Sequence, residues 1–193
     1  EKSQWKEAGV TVHNGELIEA TREITNQQIL YHLEKWEIPG YMNRIEVPLP
    51  MINAYRNIVD KLNKGFLMTI DYGMGLEDLY IPTRKNGTLR GFKNHQLVDS
   101  ILADPGETDI TSTINFSLLK DEGSCKGLHF EFFGGQQSFL LDHNILDELV
   151  PHADLDPFSP NSRRNRQIKQ LVLGDWISDS FSVLVQSKNI KKP

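Results

Sequence analysis

The segment from residue 51 to residue 73 constrains the fold more than any other part of this chain. Residues 51–62 carry apolar side chains at helical spacing, and Asn-Lys-Gly at 63–65 supplies a C-terminal stop. Residues 66–70 form a nearly continuous apolar run, which is typical of a strand buried on both faces of a parallel sheet. A helix that leads directly into such a strand predicts an α/β domain.

The polar residues that follow this strand are the first candidates for a site. Asp71, Tyr72 and Gly73 directly follow the apolar run. In open α/β sheets ligands bind outside the carboxyl ends of the strands, so Asp71 is the best single candidate from pattern alone. Gly73 and Gly75 begin a pattern that resembles a dinucleotide fingerprint, but the third glycine is absent. A turn with positive φ is therefore favoured over a phosphate cradle.

The remaining elements are predicted from turn and capping signals. Asn14-Gly15 between two apolar segments indicates a β-hairpin, and Thr25 with Gln28 indicates a helix start. Asn115 is expected to cap a short helix that begins near residue 116. Apolar patterning further predicts strands over 128–133 and 181–185 and helices over 139–150 and 162–173.

Residues 74–109 lack apolar periodicity and contain several turn signals. Loops of this length are uncommon in compact domains and are usually functional or mobile. Glycines, hydroxyl residues, His95 and Asp109 are crowded into the segment 87–116. This composition predicts a lid or substrate loop beside the strand end at Asp71.

The composition excludes several classes of function. A net charge of −5 over 193 residues argues against a nucleic-acid binder that must neutralise many phosphates. The longest apolar runs are far shorter than a membrane span, and no secretory signal opens the chain, so a cytoplasmic protein is expected. Cys125 is the single cysteine, and the six histidines lack metal-ligand spacing, so no metal site is expected.

Several motifs resemble those of the MidA family of S-adenosylmethionine-dependent methyltransferases, which is related to a mitochondrial assembly factor for respiratory complex I. Gln137 corresponds to the glutamine of the family's T-Q-G-x-F-L element, with Ser138 in place of its glycine. The other motifs that carry the likeness, in chain order, are Trp5-Lys6-Glu7 with Val10, Thr69-Ile70-Asp71-Tyr72-Gly73, Gly87-Thr88-Leu89-Arg90, His95, Pro105-Gly106, Asp109-Ile110-Thr111, Asn115-Phe116 and Phe181-Ser182-Val183-Leu184.

This resemblance implies that the chain is the C-terminal half of a Rossmann-like methyltransferase sheet, a mixed sheet with an antiparallel end. Residues 1–50 would form a middle segment, and residues 51–193 would form the C-terminal part with a helical insertion at about 136–173. The family's glycine-rich cofactor loop lies before the start of this chain. We therefore assign no cofactor-binding residues and expect S-adenosylmethionine to bind this chain weakly or not at all.

The resemblance also implies methyl transfer to a protein nitrogen, with arginine as the acceptor. Asp71, His95 and Asp109 are then the catalytic candidates, and Tyr72, Thr111 and Gln137 are the substrate-binding candidates. Asp109 and Thr111 could instead cap a turn or helix. A non-catalytic protein-interaction module is the alternative function. The expected partners are a protein substrate and a second copy bound through an exposed sheet edge, with no nucleic acid and no membrane.

Overall fold

The computed structural model describes residues 5–153, 155–173 and 180–190. The chain forms two compact units. One contains residues 1–53 and 76–113, and the other contains residues 54–75 and 114–193. The segment 76–113 therefore belongs to the same compact unit as residues 1–53.

The elements follow one another in a mixed α/β order. Two short 3-10 helices, Pro82–Arg84 and Ile145–Glu148, occur between them. The strands and helices are β1 (Lys6–His13), β2 (Glu16–Glu23), α1 (Gln27–Lys35), α2 (Leu49–Lys61), β3 (Gly65–Met74), α3 (Leu76–Leu79), β4 (Arg90–Lys93), β5 (Gln96–Val98), β6 (Asp109–Thr111), β7 (Ile114–Asn115), α4 (Phe116–Cys125), β8 (His129–Gly135), α5 (Gln136–Asp142), α6 (Pro160–Val172) and β9 (Phe181–Lys188).

The predicted hairpin and the predicted cap of α4 are confirmed. Asn14 and Gly15 adopt φ of 52° and 85° between β1 and β2, as a two-residue hairpin turn requires. Asn115 caps α4, and its side-chain oxygen accepts a hydrogen bond of 3.0 Å from the N–H of Leu118. The predicted cap of α1 at Thr25 is wrong by one residue, because Asn26 accepts the bond from the Gln28 N–H.

The prediction of a long loop over residues 74–109 is wrong. Within this segment β4 and β5 form a hairpin, and β6 pairs with the other edge of β4 in a three-stranded antiparallel sheet. These strands have only three or four residues each, which is too short to give a clear alternating pattern. Only the pairing of β4 with β6 joins residues distant in sequence.

A four-stranded sheet in the order β7-β3-β9-β8 organises the second unit. Its strand β9 pairs antiparallel with both β3 and β8, while β7 pairs parallel with Gly73 and Met74 at the end of β3. The expected antiparallel arrangement of 66–72, 128–133 and 181–185 is present. Completion of this sheet into a Rossmann-like fold stays a prediction.

The sheet is packed against helices on both faces, but one face is covered incompletely. On one face, Leu184 and Gln186 of β9 are buried beneath α2 and α4. On the other, α5 contacts β8 and β9, with the rings of Phe132 and Phe139 5.2 Å apart. Alternate side chains of β3 on this second face remain exposed, so the prediction that β3 is buried on both faces is wrong for this chain. These side chains are Phe66, Met68, Ile70 and Tyr72.

The predicted helical insertion contains α5, a 3-10 helix and α6. The single helix expected over 139–150 is interrupted, because Asn144 adopts a left-handed φ of 59°. The side-chain amide of Asn165 on α6 accepts a hydrogen bond from the N–H of Val150 at 2.9 Å and donates one to its carbonyl at 2.8 Å. These bonds attach the segment between the helices to α6.

Candidate functional site

Asp71 lies near the carboxyl end of β3, as the sequence indicates. Antiparallel pairing places it opposite Ser182 of β9. Its Oδ1 accepts a hydrogen bond of 2.7 Å from the backbone N–H of Tyr72, and the side chain is half-buried. A carboxylate held in this way keeps a defined direction and still has lone pairs for a cationic ligand.

Tyr72 lies on the opposite face of β3 from Asp71, because successive strand residues point to opposite faces. Its ring packs against that of Phe181, with centroids 4.0 Å apart and planes tilted by 33°. The Tyr72 side chain is 42% exposed. The two aromatic rings therefore offer a flat, accessible surface beside the end of the strand.

The two glycines after Asp71 do not form a cofactor cradle. A Cβ on Gly73 would lie 2.5 Å from the ring of Phe116 and 2.6 Å from the backbone oxygen of Ile114. The space beside Gly73 is thus filled by the protein itself. At Gly75 a Cβ would make only ordinary contacts, and the helix that follows, α3, has four residues. The turn at Gly73 and Gly75 therefore does not provide a binding cradle for S-adenosylmethionine.

His95, Asp109 and Thr111 all belong to the small sheet β5-β4-β6. His95 is exposed in the β4–β5 turn with φ of 62°. Asp109 lies opposite Phe92 and Thr111 lies opposite Arg90, so Asp109 and Thr111 share one face of the edge strand β6. Since both lie within a strand, neither caps a helix.

A hydrogen-bond network around Glu46 and Thr88 was not predicted from the sequence. The carboxylate of Glu46 accepts bonds from the N–H of Thr88 at 2.9 Å, from its hydroxyl at 3.2 Å and from the N–H of Leu89 at 3.2 Å. The Thr88 hydroxyl also accepts a bond of 2.9 Å from the N–H of Thr113. Thr88 precedes β4 and Thr113 follows β6. The network therefore connects the residues that flank these two strands to the carboxylate of Glu46.

Two further electrostatic features accompany this network. Burial, together with the negative charge of Glu46, raises the pKa of Tyr80 to about 12. Lys93 forms ion pairs with Glu107 at 2.7 Å and Asp104 at 3.0 Å, and the hydrogen bonds to these two carboxylates raise its pKa. The ion pairs hold the 104–107 turn against the end of β4.

Gln137 is positioned by the helical insertion. Its side-chain Nε2 donates a hydrogen bond to the carbonyl oxygen of Val172 at the end of α6. This bond joins α5 to α6 and gives Gln137 a structural role. The substrate-binding role of Gln137 stays a prediction.

The six predicted site residues therefore fall into two groups. Three of them (Asp71, Tyr72 and Gln137) belong to the second unit, and the other three (His95, Asp109 and Thr111) belong to the first. Their catalytic and binding roles stay predictions.

A cavity of about 770 Å³ lies in the first unit, between the β1–β2 hairpin, α1 and the segment 42–47. Apolar side chains such as Leu33 and Met42 line it, together with the Glu19–Arg44 ion pair. The described residues that line this cavity include none of the predicted catalytic residues.

Across residues 5–153, 155–173 and 180–190, no group of three or more His, Cys, Asp and Glu side chains is placed to hold a metal ion. Within those ranges, no helix has the length and apolar character required to cross a lipid bilayer.

Two solved structures from Burkholderia thailandensis resemble this chain. One, an uncharacterized protein of the COG1565 superfamily, is 24% identical with a TM-score of 0.80, and the match covers 99% of this chain and 51% of that one. The other, a COG1565 superfamily member described as a "likely methyl transferase" bound to S-adenosylhomocysteine, is 25% identical with a TM-score of 0.76, covering 99% and 49%. This chain thus spans about half the length of these proteins.

Sequence comparisons identify the family. No protein with curated annotation matches the chain. Residues 1–134 match the sequence model of a family described as "Putative S-adenosyl-L-methionine-dependent methyltransferase". Because this match covers well over half of the 193 residues, the chain belongs to this family of S-adenosyl-L-methionine-dependent methyltransferases.

Proposed function

We propose that this chain supplies the C-terminal half of a MidA-like methyltransferase that transfers a methyl group to an arginine side chain of a protein substrate. Membership of the methyltransferase family is the observation that carries the proposal. The relative bound to S-adenosylhomocysteine, the product of methyl donation, supports the same cofactor. The motifs that resemble the MidA family favour a protein nitrogen as the acceptor.

S-adenosylmethionine, when bound, supplies an electrophilic methyl group. The glycine turn after Asp71 is not proposed as its binding site, because the space beside Gly73 is filled by Phe116 and Ile114. We therefore assign this chain to the acceptor side of the reaction.

Asp71 is proposed to bind the acceptor guanidinium. A carboxylate at the end of β3 can accept two parallel hydrogen bonds from a planar guanidinium and compensate its positive charge. The acceptor nitrogen loses one proton when its methylated form is released, so the reaction requires a proton acceptor. The resemblance to the MidA family implies this role for His95 or Asp109. Thr111 and Gln137 are proposed to contact the rest of the substrate.

Tyr72 and Phe181 are proposed to contact the substrate away from the acceptor guanidinium, because Tyr72 lies on the face of β3 opposite Asp71. Their rings lie 4.0 Å apart beside the end of the strand.

The test measures cofactor binding and methyl transfer separately. S-adenosylmethionine is titrated by calorimetry into the polypeptide encoded by the complete gene and into residues 1–193 alone. We expect clear binding by the former and weak or no binding by the latter. Tritium-labelled cofactor and peptide mass spectrometry then identify the methylated residue, with arginine expected. Absence of binding by both proteins, or transfer to lysine alone, contradicts the proposal.

The β1–β2 hairpin favours a second candidate, a non-catalytic interaction module. Val10 and Val12 are 57% and 67% exposed on one face of this hairpin. Exposed apolar side chains of this kind mark protein–protein contacts when they cluster. Failure of both proteins to bind S-adenosylmethionine would favour this function.

A cytoplasmic location, and the expected absence of nucleic-acid and membrane partners, stay predictions from composition.

A further inference from the structure

Helix α6 contains four basic residues and no acidic one. Three of them are exposed and recur at every third position, so they form one ridge along the helix surface. This basic ridge consists of Arg163, Arg166 and Lys169. Because a helix rises about 1.5 Å per residue, the ridge presents three cationic groups to solvent within about 9 Å along the helix axis.

Contacts on the other side of α6 fix the direction in which the basic ridge points. Ile168 and Val172 are 6% and 5% exposed and form the buried face of the helix. The fourth basic residue, Arg164, forms an ion pair with Glu148, and its Nε donates a hydrogen bond of 2.9 Å to the Glu148 carbonyl oxygen. These contacts prevent rotation of α6 about its axis, so the ridge stays exposed.

The basic ridge does not stabilise the helix that carries it. Arg163 and Arg166 are three residues apart, as are Arg166 and Lys169, and like charges at this spacing repel each other. Arg163 also lies near the N-terminus of α6, where the helix dipole favours acidic residues, and the first turn contains none. The ridge therefore breaks two local rules of helix stability, which is expected mainly at functional surfaces.

The chain itself does not compensate these charges. Across the part of the chain that the structure describes, none of the three ridge side chains forms an ion pair. Arg164, one position away from Arg163, does have an internal acidic partner in Glu148. The difference separates the structural arginine of α6 from the three basic residues that are available to a ligand.

We propose that the basic ridge binds an acidic segment of a protein partner. Charge complementarity supports this assignment, because a guanidinium pairs with a carboxylate through two parallel hydrogen bonds and two of the three ridge residues are arginines. The proposal is independent of methyl transfer, since α6 carries none of the candidate catalytic residues.

The charge and polarity around the ridge favour a short acidic segment over other anionic partners. Residues 1–160 contain 14 Lys and Arg against 24 Asp and Glu, so a long polyanion such as a nucleic acid would also meet a repulsive acidic surface. Gln167 and Gln170 accompany the ridge as exposed residues, and Leu171 is 39% exposed. This face lacks the broad apolar area by which a helix lies in a lipid surface.

Binding of a fluorescein-labelled deca-glutamate peptide tests the proposal. The peptide is titrated with the polypeptide encoded by the complete gene, and fluorescence anisotropy measures binding. We expect saturable binding that is weaker at about 150 mM than at about 20 mM salt, because salt screens exposed charges. Arg163→Glu/Arg166→Glu should weaken binding by about ten-fold or more at the lower salt concentration.

Two further variants separate the ridge from net charge and from folding. Lys61→Glu/Lys64→Glu makes the same change in net charge at exposed positions elsewhere in the second unit, and its affinity should stay within about two-fold of the wild type. Arg163→Lys/Arg166→Lys keeps the charge and should retain binding within about three-fold. The Tm of Arg163→Glu/Arg166→Glu should be unchanged or higher, because an acidic residue then lies near the N-terminus of α6.

Four results overturn the proposal. They are absence of peptide binding by the wild type, and equal weakening in the Arg163→Glu/Arg166→Glu and Lys61→Glu/Lys64→Glu variants. The third is tighter, arginine-dependent binding of phosphatidylcholine–phosphatidylserine vesicles or of an oligothymidylate, which identifies a different class of partner. The fourth is a dimeric mass by light scattering that Arg163→Glu/Arg166→Glu returns to a monomer, which identifies a second copy as the occupant. Cofactor binding enters none of these measurements, so this proposal and the proposed function can fail independently.

Discussion

Tyr55 on α2 donates a hydrogen bond of 2.5 Å from its hydroxyl to Oε1 of Gln186, a side chain of β9 that has no exposed surface. The Nε2 of the same amide donates to the carbonyl oxygen of Lys120 on α4 at 3.1 Å. One buried amide thus connects two helices to the strand that lies between β3 and β8.

Tyr55→Phe should destabilise the protein by about 1–3 kcal/mol, because it leaves a buried amide oxygen without its donor while it preserves the ring. Urea unfolding followed by circular dichroism measures this difference. Tyr31→Phe is the control, since Tyr31 is 55% exposed, and it should change stability by less than about 0.5 kcal/mol. Equal effects of the two substitutions would show that the Gln186 bond contributes nothing.

Stability should fall as pH rises from 10 to 12. Burial raises the pKa of both Tyr55 and Tyr80 from 10.0 to about 12, and the charge of Glu46 adds to the effect at Tyr80. The folded state therefore favours the neutral, protonated form of both phenols more than the unfolded state does. Their contribution is fully present below pH 10 and is lost as pH rises through 12. Urea midpoints at several pH values should decline over this window, and less steeply in Tyr55→Phe.

Gly73→Ala should destabilise the second unit by about 1–3 kcal/mol or more, because the added methyl overlaps the Phe116 ring and a backbone oxygen. Gly75→Ala is a control two residues away, with its nearest contacts at 3.6 Å and 3.7 Å. Thermal unfolding of the two variants distinguishes a packing role for Gly73 from a phosphate-cradle role. Normal stability of Gly73→Ala would contradict the packing role.

Thr88→Val should loosen the three-stranded sheet, because it removes the hydroxyl that donates to Glu46 and accepts from the Thr113 N–H. The expected cost is about 1–3 kcal/mol for the buried groups left without partners. Hydrogen–deuterium exchange should accelerate in β4 and β6 while β9 stays protected. Thr83→Val, at an exposed position, should leave exchange unchanged.

Asp71→Asn should lower kcat for methyl transfer by about a hundred-fold in the complete gene product, since an amide cannot pair with a guanidinium as a carboxylate does. Affinity for S-adenosylmethionine should stay within about two-fold, because Asp71 is assigned to the acceptor. Initial rates with labelled cofactor and calorimetric titration measure the two effects. A parallel loss of cofactor affinity would place Asp71 in the cofactor site instead.

Much of the local structure could be predicted because its causes lie within a few residues. Asn14-Gly15 favours positive φ at both positions and therefore a hairpin, and Asn115 caps the helix that follows it directly. The apolar runs at β3 and β9 likewise predicted strands, and the position of Asp71 at a strand end followed from the sequence. Side-chain alternation also placed Asp71 and Tyr72 on opposite faces once β3 was identified.

The candidate site was predicted less completely, since its supporting contacts join distant residues. Glu46 and Thr88 are 42 positions apart, and the contact between them has no local pattern. The segment 74–109 was predicted as a loop because strands of three or four residues are too short for periodicity to reveal. Pairing with neighbouring strands, rather than local propensity, makes this segment a sheet.

The sequence by itself determined the longer helices and strands, since side-chain spacing, turn residues and caps act over one or two turns of chain. Only the tertiary structure decided which faces are covered. Val185 and Met68 lie opposite each other on one apolar face, yet α5 reaches the strand of Val185 and leaves Met68 47% exposed. Burial depends on what lies across the sheet from a residue, and the residue's own neighbours in sequence do not specify that.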